Sequence, residues 1–182
     1  MDKKNISKKQ KIRKEIISWL WVIAVVIILR TFFVQAFKIP STSMVPTLKV
    51  GDRLLANKII YRIRKPERGE VIIFRYPKNP SIDFVKRLIG FPGETVFINN
   101  GHVYINGKKL TKPHSIVKRY YYSMGKYGVD KPFLVPQSSY FVLGDNSFVS
   151  KDSRFFGVVP QKDLIGEAWF IYWPPWRMGV IH

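Results

Sequence analysis

Three stretches of this chain hold side chains whose types and spacing suit acyl-transfer chemistry. The first is Ile39-Pro40-Ser41-Thr42-Ser43-Met44-Val45-Pro46-Thr47-Leu48. Proline fixes its own φ and restricts the residue before it, so a stiff loop presents the hydroxyls between Pro40 and Pro46. Stiffness suits a nucleophile, because its angle of attack is then fixed. Alone, the cluster reads equally well as an ordinary Ser/Thr/Pro turn. A serine nucleophile also needs a base. His102, His114 and His182 fall in a hairpin strand, a loop and the last position, and none has a motif around it. Lysine is the other choice. In Asp83-Phe84-Val85-Lys86-Arg87-Leu88-Ile89, a period of two puts Phe84, Lys86 and Leu88 on one face. Apolar neighbours strip water from an amine and lower its pKa. At an ordinary pKa only about 1 lysine in 2,500 is neutral at pH 7, so burial has to offset roughly 4–5 kcal/mol. The competing reading is an edge-strand lysine with its ammonium in water. The third stretch, Gly144 to Arg154, is a polar loop leaving the strand Tyr140–Leu143. It reads as an Asx/Ser turn, with Asp152 and Arg154 spaced for a modest surface ion pair. Ser115-Ile116-Val117-Lys118 matches S-x-x-K, but it has no helical context and no companion S-D-N or K-T-G element. It is set aside.

The elements that must position these residues read as β-structure. From Pro40 onward, prolines and glycines punctuate short apolar runs. Strands are predicted over Asp52–Ile60, Glu70–Arg75, Asp83–Ile89, Thr95–Ile98, His102–Ile105, Ser139–Leu143 and Ala168–Tyr172. Asn99-Asn100-Gly101 and Asn106-Gly107 are turn signals, so Thr95–Leu110 is a hairpin followed by a further turn. One short helix is expected near Pro160–Ile165. Residues 112–132, with Tyr120-Tyr121-Tyr122, read as a loop or small excursion from the main sheet. The predicted fold is mainly β: a single N-terminal transmembrane helix followed by an all-β domain over residues 37–182.

The N-terminal reading rests on charge and hydropathy. Residues 1–15 hold seven basic and two acidic side chains, and Ile16–Leu29 contains Ser18 as its only polar residue. That run spans about 21 Å as a helix, and extension to Ala36, with Arg30 snorkelling, gives about 31 Å. A transmembrane anchor over 16–36 with a cytoplasmic tail over 1–15 follows. A basic start, an apolar core and Val34-Gln35-Ala36 also compose a cleavable leader; Arg30, Phe32 and Phe33 speak for the anchor. Cysteine is absent, which excludes disulfides, zinc-thiolate sites and thiol catalysis, and three histidines argue against a multi-histidine metal site. No metal and no cofactor is expected. The formal charge of +19 asks for an anionic partner, either lipid surface or nucleic acid.

In their order, these stretches resemble the type I signal peptidases, the bacterial leader peptidases, which are membrane-bound serine/lysine proteases. Ser41–Leu48 matches S-x-S-M-x-P-T-L, and Gly51-Asp52 matches the next box. Asp83–Glu94 matches x-x-x-K-R-x-x-G-x-P-G-[DE], and Gly144–Gly157 matches G-D-N-x-x-x-S-x-D-S-R-x-x-G. One anchor and a small domain are most similar to the compact form of Gram-positive bacteria. The resemblance implies Ser43 as nucleophile and Lys86 as general base. It implies Ser41 as an oxyanion donor with the Ser43 N–H, and Ser150 as the hydroxyl that orients the lysine ammonium. It implies ion pairs Arg87 with Asp145 and Asp152 with Arg154, and shallow substrate pockets lined by Phe37, Ile39, Phe84 and Val85. The implied partners are exported preproteins cut after small-x-small sites, membrane lipid and a nearby secretion translocon, with no nucleic acid. The implied location is a cell membrane, crossed once, with the catalytic domain on the extracytoplasmic face. Ser147-Phe148-Val149 departs from the family's more polar residues, which puts the packing of that loop in question. Among the C-terminal aromatics, Trp169 and Ile171 are expected inside and Trp173 and Trp176 at the membrane. Two alternatives stay open: a non-catalytic, membrane-anchored basic binding module, and a relative of the LexA-type self-cleaving repressors. The second needs a DNA-binding domain where this chain carries its apolar run.

Overall fold

The computed structural model of the chain describes residues 3–28 and 34–182. A helix, α1, covers Lys3–Ile28. Its side chains from 11 to 27 are exposed apart from half-buried Ala24, Trp19 and Trp21 among them. The apolar half, Ile16–Ile28, is only about 20 Å long, and the other half is the basic tail. No helix among the described residues is long and apolar enough to cross a membrane. The expected extension to Ala36 meets a strand instead: Val34, Gln35 and Ala36 pair with Asn57, Ala56 and Leu55. The expectations for Leu29, Arg30, Phe32 and Phe33 lie outside the described residues.

Twelve strands follow: β1 (Val34–Lys38), β2 (Arg53–Asn57), β3 (Val71–Tyr76), β4 (Asn79–Gly90), β5 (Thr95–Asn99), β6 (His102–Ile105), β7 (Lys108–Lys109), β8 (Phe133–Leu134), β9 (Ser139–Leu143), β10 (Val159–Pro160), β11 (Leu164–Trp173) and β12 (Gly179–Val180). They form two antiparallel sheets. The larger runs β1-β2-β11-β3-β4-β9-β10 with β12 on β11, and the smaller runs β7-β6-β5-β8. The turn residues act as their types require. Asn100 and Gly101 (φ 47° and 78°) join β5 to β6, and Asn106 and Gly107 (φ 51° and 77°) join β6 to β7. Both pairs use the positive φ that two-residue hairpins demand.

The core has three parts. Ile39, Met44 and Leu48 of the serine loop sink among Leu54, Val71, Ile73 and Ile171, which seats that loop on the main sheet. Ile72, Phe74, Leu88 and Val142 pack with Phe84 and Phe156 on the opposite side. Phe141 and Leu143 of β9 meet Val96, Ile98 and Val103 of the small sheet, and Ile116, Tyr121 and Val129 of the 112–132 excursion cap that contact. Each such side chain contributes about 1.5–3 kcal/mol by leaving water.

Several expectations change. The short helix expected near Pro160–Ile165 is a single 3-10 turn over Gln161–Asp163, and Leu164 and Ile165 already belong to β11. Pairing along β11 shifts register between Ala168 and Phe170. That bulge turns Trp169 outward, 39% exposed, while Ile171 stays buried at 6%. The strand expected to reach Ile60 stops at Asn57, whose Oδ1 accepts from the Ile59 and Ile60 N–H groups and starts a helical turn over Ile60–Ile63.

Phe141 is fully buried where the two sheets meet. Phe141→Ala should cost about 3–5 kcal/mol, read as a lower urea midpoint at an unchanged slope.

Candidate active site

Lys86 and Ser43 lie 43 residues apart in sequence and meet at one hydrogen bond: Lys86 Nζ donates to Ser43 Oγ at 2.7 Å. Nζ also donates to the Val85 carbonyl at 2.9 Å and stands 5.2 Å from the Phe84 ring centre. β4 pairs with β3 at Lys86 and is joined by β9 only from Arg87 on, so Lys86 closes the stretch of β4 that is unpaired on one side. The reading that puts its ammonium in water nevertheless fails: the residue is 4% exposed. Burial pushes its pKa down from the usual 10.5 to about 8, and the carboxylates of Asp152 and Asp145 oppose part of that shift.

Ser43 is equally constrained. Its carbonyl accepts from the Asn146 N–H at 3.0 Å, and the Thr42 carbonyl accepts from Asn146 Nδ2 at 3.2 Å. Ser41 Oγ lies 3.3 Å from Ser43 Oγ on the exposed lip of the loop. The Ser43 N–H donates to no group among the described residues, so an incoming oxyanion meets an uncommitted donor beside a hydroxyl.

Two buried ion pairs hold the loops around this contact. Arg87 donates through Nε and Nη2 to the two carboxylate oxygens of Asp145, each at 2.7 Å, and both side chains are fully buried. Asp145 also accepts from Arg119 at 2.7 Å and from the Thr47 hydroxyl. Arg154 donates to both oxygens of Asp152, at 2.8 and 2.9 Å, and this pair is fully buried as well, not at the surface. Asp152 in turn accepts from the Gly144 N–H at 3.0 Å. Ser147 fits its unusual position by accepting from Tyr122 N–H (2.8 Å) and from Arg154 Nη1 (2.7 Å), while Phe148 and Val149 face solvent.

Ser150 departs from its expected part. Its hydroxyl is buried beside Gly144 and makes no hydrogen bond among the described residues, so the lysine ammonium is held by Ser43 and Val85 instead. Sequence reasoning also passed over Arg119 and Thr47, which share Asp145. It passed over Arg177, which donates to the buried Asp52 at 2.9 Å and to the Thr47 carbonyl at 3.1 Å. Thr47 stood inside a quoted motif; the two arginines stood in no motif at all.

A groove of about 320 Å³ opens in front of the pair. Phe37 and Ile39 line one wall, Phe84 and Val85 the other, with Met44 and Val149 completing it near Ser43. The walls are sheet edges: among the described residues no strand pairs the outer side of β1, and β9 leaves residues 79–86 of β4 unpaired on that side. An extended peptide placed there finds backbone donors and acceptors on both sides.

The sequence model of the family described as "Signal peptidase, peptidase S26" matches residues 12–173. The chain is 43% identical over 158 residues to "Probable signal peptidase I-2" of Synechocystis sp., covering 84% of this chain and 69% of that one. It is 38% identical over 177 residues to "Signal peptidase IB" of Staphylococcus aureus, covering 89% and 92%. To "Signal peptidase I" of Aquifex aeolicus it is 34% identical over 215 residues, covering 88% and 84%.

Gly144 has no room for a side chain: a Cβ would strike Ser150 Oγ and lie 2.6 Å from the Ser43 carbonyl oxygen. Gly144→Ala should therefore displace the Ser43 loop. The expected outcome is a fall in kcat of about 10²-fold, with a melting temperature that drops by only a few degrees.

Proposed function

The chain belongs to the signal peptidase family, peptidase S26, and from that premise we propose that it removes N-terminal signal peptides from exported preproteins with a Ser43/Lys86 dyad. The observation that carries the proposal is the 2.7 Å contact between Ser43 Oγ and a lysine amine that burial has brought within reach of neutrality.

The chemistry follows from that contact. With Lys86 neutral, the hydrogen bond reverses and Ser43 donates its proton to Nζ. Ser43 Oγ then attacks the scissile carbonyl, and the developing oxyanion takes hydrogen bonds from the Ser43 N–H and the Ser41 hydroxyl. The Lys86 ammonium passes its proton to the leaving amine, and the C–N bond breaks. Lys86, neutral again, deprotonates a water that attacks the acyl-enzyme, and returns the proton to Ser43 Oγ on its release. Arg87 with Asp145 and Arg154 with Asp152 hold the loops that carry these groups, and Ser150, buried beside them, supports the packing at Gly144. A groove walled by Phe37, Ile39, Phe84 and Val85 leaves little depth for side chains, which favours small residues before the cut, with the peptide extended between β1 and β4.

The exposed apolar half of α1 supports attachment of the chain to a membrane, with residues 1–15 on the cytoplasmic side and residues 37–182 on the far side, beside the translocon that delivers the substrate. Trp173 and Trp176, 49% and 82% exposed, suit the lipid interface. A chain with these features in a non-catalytic role would tolerate loss of Ser43.

Ser43→Ala and Lys86→Ala should each lower cleavage of a model preprotein by at least about 10⁴-fold, with the wild-type cut site read by mass spectrometry. Wild-type rates from either variant would refute the dyad. The pH profile gives an independent check. With a Lys86 pKa of about 8, roughly a tenth of the enzyme carries a neutral amine at pH 7, so kcat/KM should fall about tenfold per pH unit below that and level off above about pH 8. Lowered in the fold from 10.5, the same group destabilises the folded state fully below about pH 8. That cost is relieved as the pH rises towards 10.5.

A further inference from the structure

A cleft larger than the active-site groove lies elsewhere among the described residues. It has about 720 Å³ of space beside β1 and shares one residue, Asp83, with the groove. Its walls are strongly basic. Arg62 comes from the helical turn after β2 and Lys65 from just past it, Arg75 from the end of β3, and Lys162 from the 3-10 turn before β11. Arg64 also lines it but is committed to Glu70 at 2.6 Å, with Glu167 and Glu67 close by. Arg62, Lys65 and Lys162 are exposed and form no ion pair among the described residues. Asp83 is the acid within the cleft; it faces Arg75 at the end where cleft and groove join. At the rim stands Ile63, 78% exposed between Arg62 and Arg64.

Position narrows the choice of ligand. Gln35 lines the cleft and stands seven residues after Ile28, the last described residue of the apolar helix, so the two lie within about 25 Å of each other. A basic concavity with an apolar prong at its mouth, tethered that closely to an apolar helix, matches a lipid surface: cations meet phosphates while the prong enters the acyl boundary. Nucleic acid would want aromatic platforms among the cations, and Tyr61, the aromatic lining residue, is half-buried with its hydroxyl committed to Glu70.

We infer that this cleft binds the phosphate of an anionic phospholipid headgroup and thereby seats the catalytic domain on the membrane surface. The inference rests on the membrane attachment proposed above. It gives the domain a further point of contact besides the helix and the C-terminal tryptophans, and one that lies next to the groove through Asp83.

The chain has no cysteine, so Ile63→Cys in the full chain takes a single environment-sensitive fluorophore. Reconstituted into phosphatidylcholine vesicles containing phosphatidylglycerol, the probe should shift to the blue and be quenched by lipid-borne quenchers; in pure phosphatidylcholine it should do neither. Each basic residue biases the docked state by about fivefold. Arg62→Gln/Lys65→Gln/Lys162→Gln in the same background should therefore lose about a hundredfold and with it the shift, while cleaving a peptide in detergent at the unsubstituted rate. Equal shifts in both lipids, or a shift that survives the triple substitution, overturn the inference. So does loss of the shift on adding millimolar inorganic phosphate at matched ionic strength, which would mark the cleft as a site for free phosphate. Failure of the membrane reading itself looks different: the chain then stays in the supernatant with both kinds of vesicle, and the inference falls with it.

Discussion

The site depends on the carboxylate of Asp145. Fully buried, it accepts two hydrogen bonds from Arg87 on β4, one from Arg119 in the 112–132 excursion and one from Thr47 in the serine loop. Three segments distant in sequence therefore converge on the oxygens of a fourth. Arg87 directly follows Lys86, Thr47 lies four residues past Ser43, and Asn146, next to Asp145, grips the Ser43 carbonyl. A charge so deep is tolerable only because its partners satisfy it, and removing Asp145 leaves the buried Arg87 guanidinium without its carboxylate. That is a demanding way to fix a loop. It gives the dyad a geometry that apolar contacts alone would leave loose.

The two ion pairs also protect the lysine from its surroundings. Asp145 and Asp152 both act on Lys86, and two unscreened carboxylates would hold its ammonium charged. Arg87 and Arg154 neutralise them at bidentate geometry. Desolvation by the protein around the amine then remains the larger influence, and the pKa moves down. Structural support and electrostatic tuning thus come from the same four side chains.

Much of this was legible in the amino-acid order. Period-two alternation around Lys86 placed it on an apolar face, because strand geometry makes that relation local. The Asn-Gly turns were legible for the same reason, since positive φ is a property of single residues. Arg119 and Arg177 were not. They reach Asp145 and Asp52 across 26 and 125 residues, and no local period marks such partners. The β11 bulge that turns Trp169 outward depends on pairing with β2, and the end of the apolar helix was hidden because β1 starts in a run that still reads as hydrophobic. The hydrogen bond expected of Ser150 was an inference from resemblance, and its geometry depends on how closely Gly144 lets two loops approach.

The open groove poses a problem of self-association. A pair of sheet edges lined with apolar residues is a template for any extended chain, including another copy of this protein. The edges carry the standard defences. Exposed Lys38 ends β1 and Pro40 follows it; Pro80 and exposed Asp83 interrupt the facing stretch of β4. Proline withholds a donor, and a charge on an edge makes a like edge an unfavourable neighbour. The molecule can therefore stay receptive to a short extended segment while resisting aggregation through the same surface.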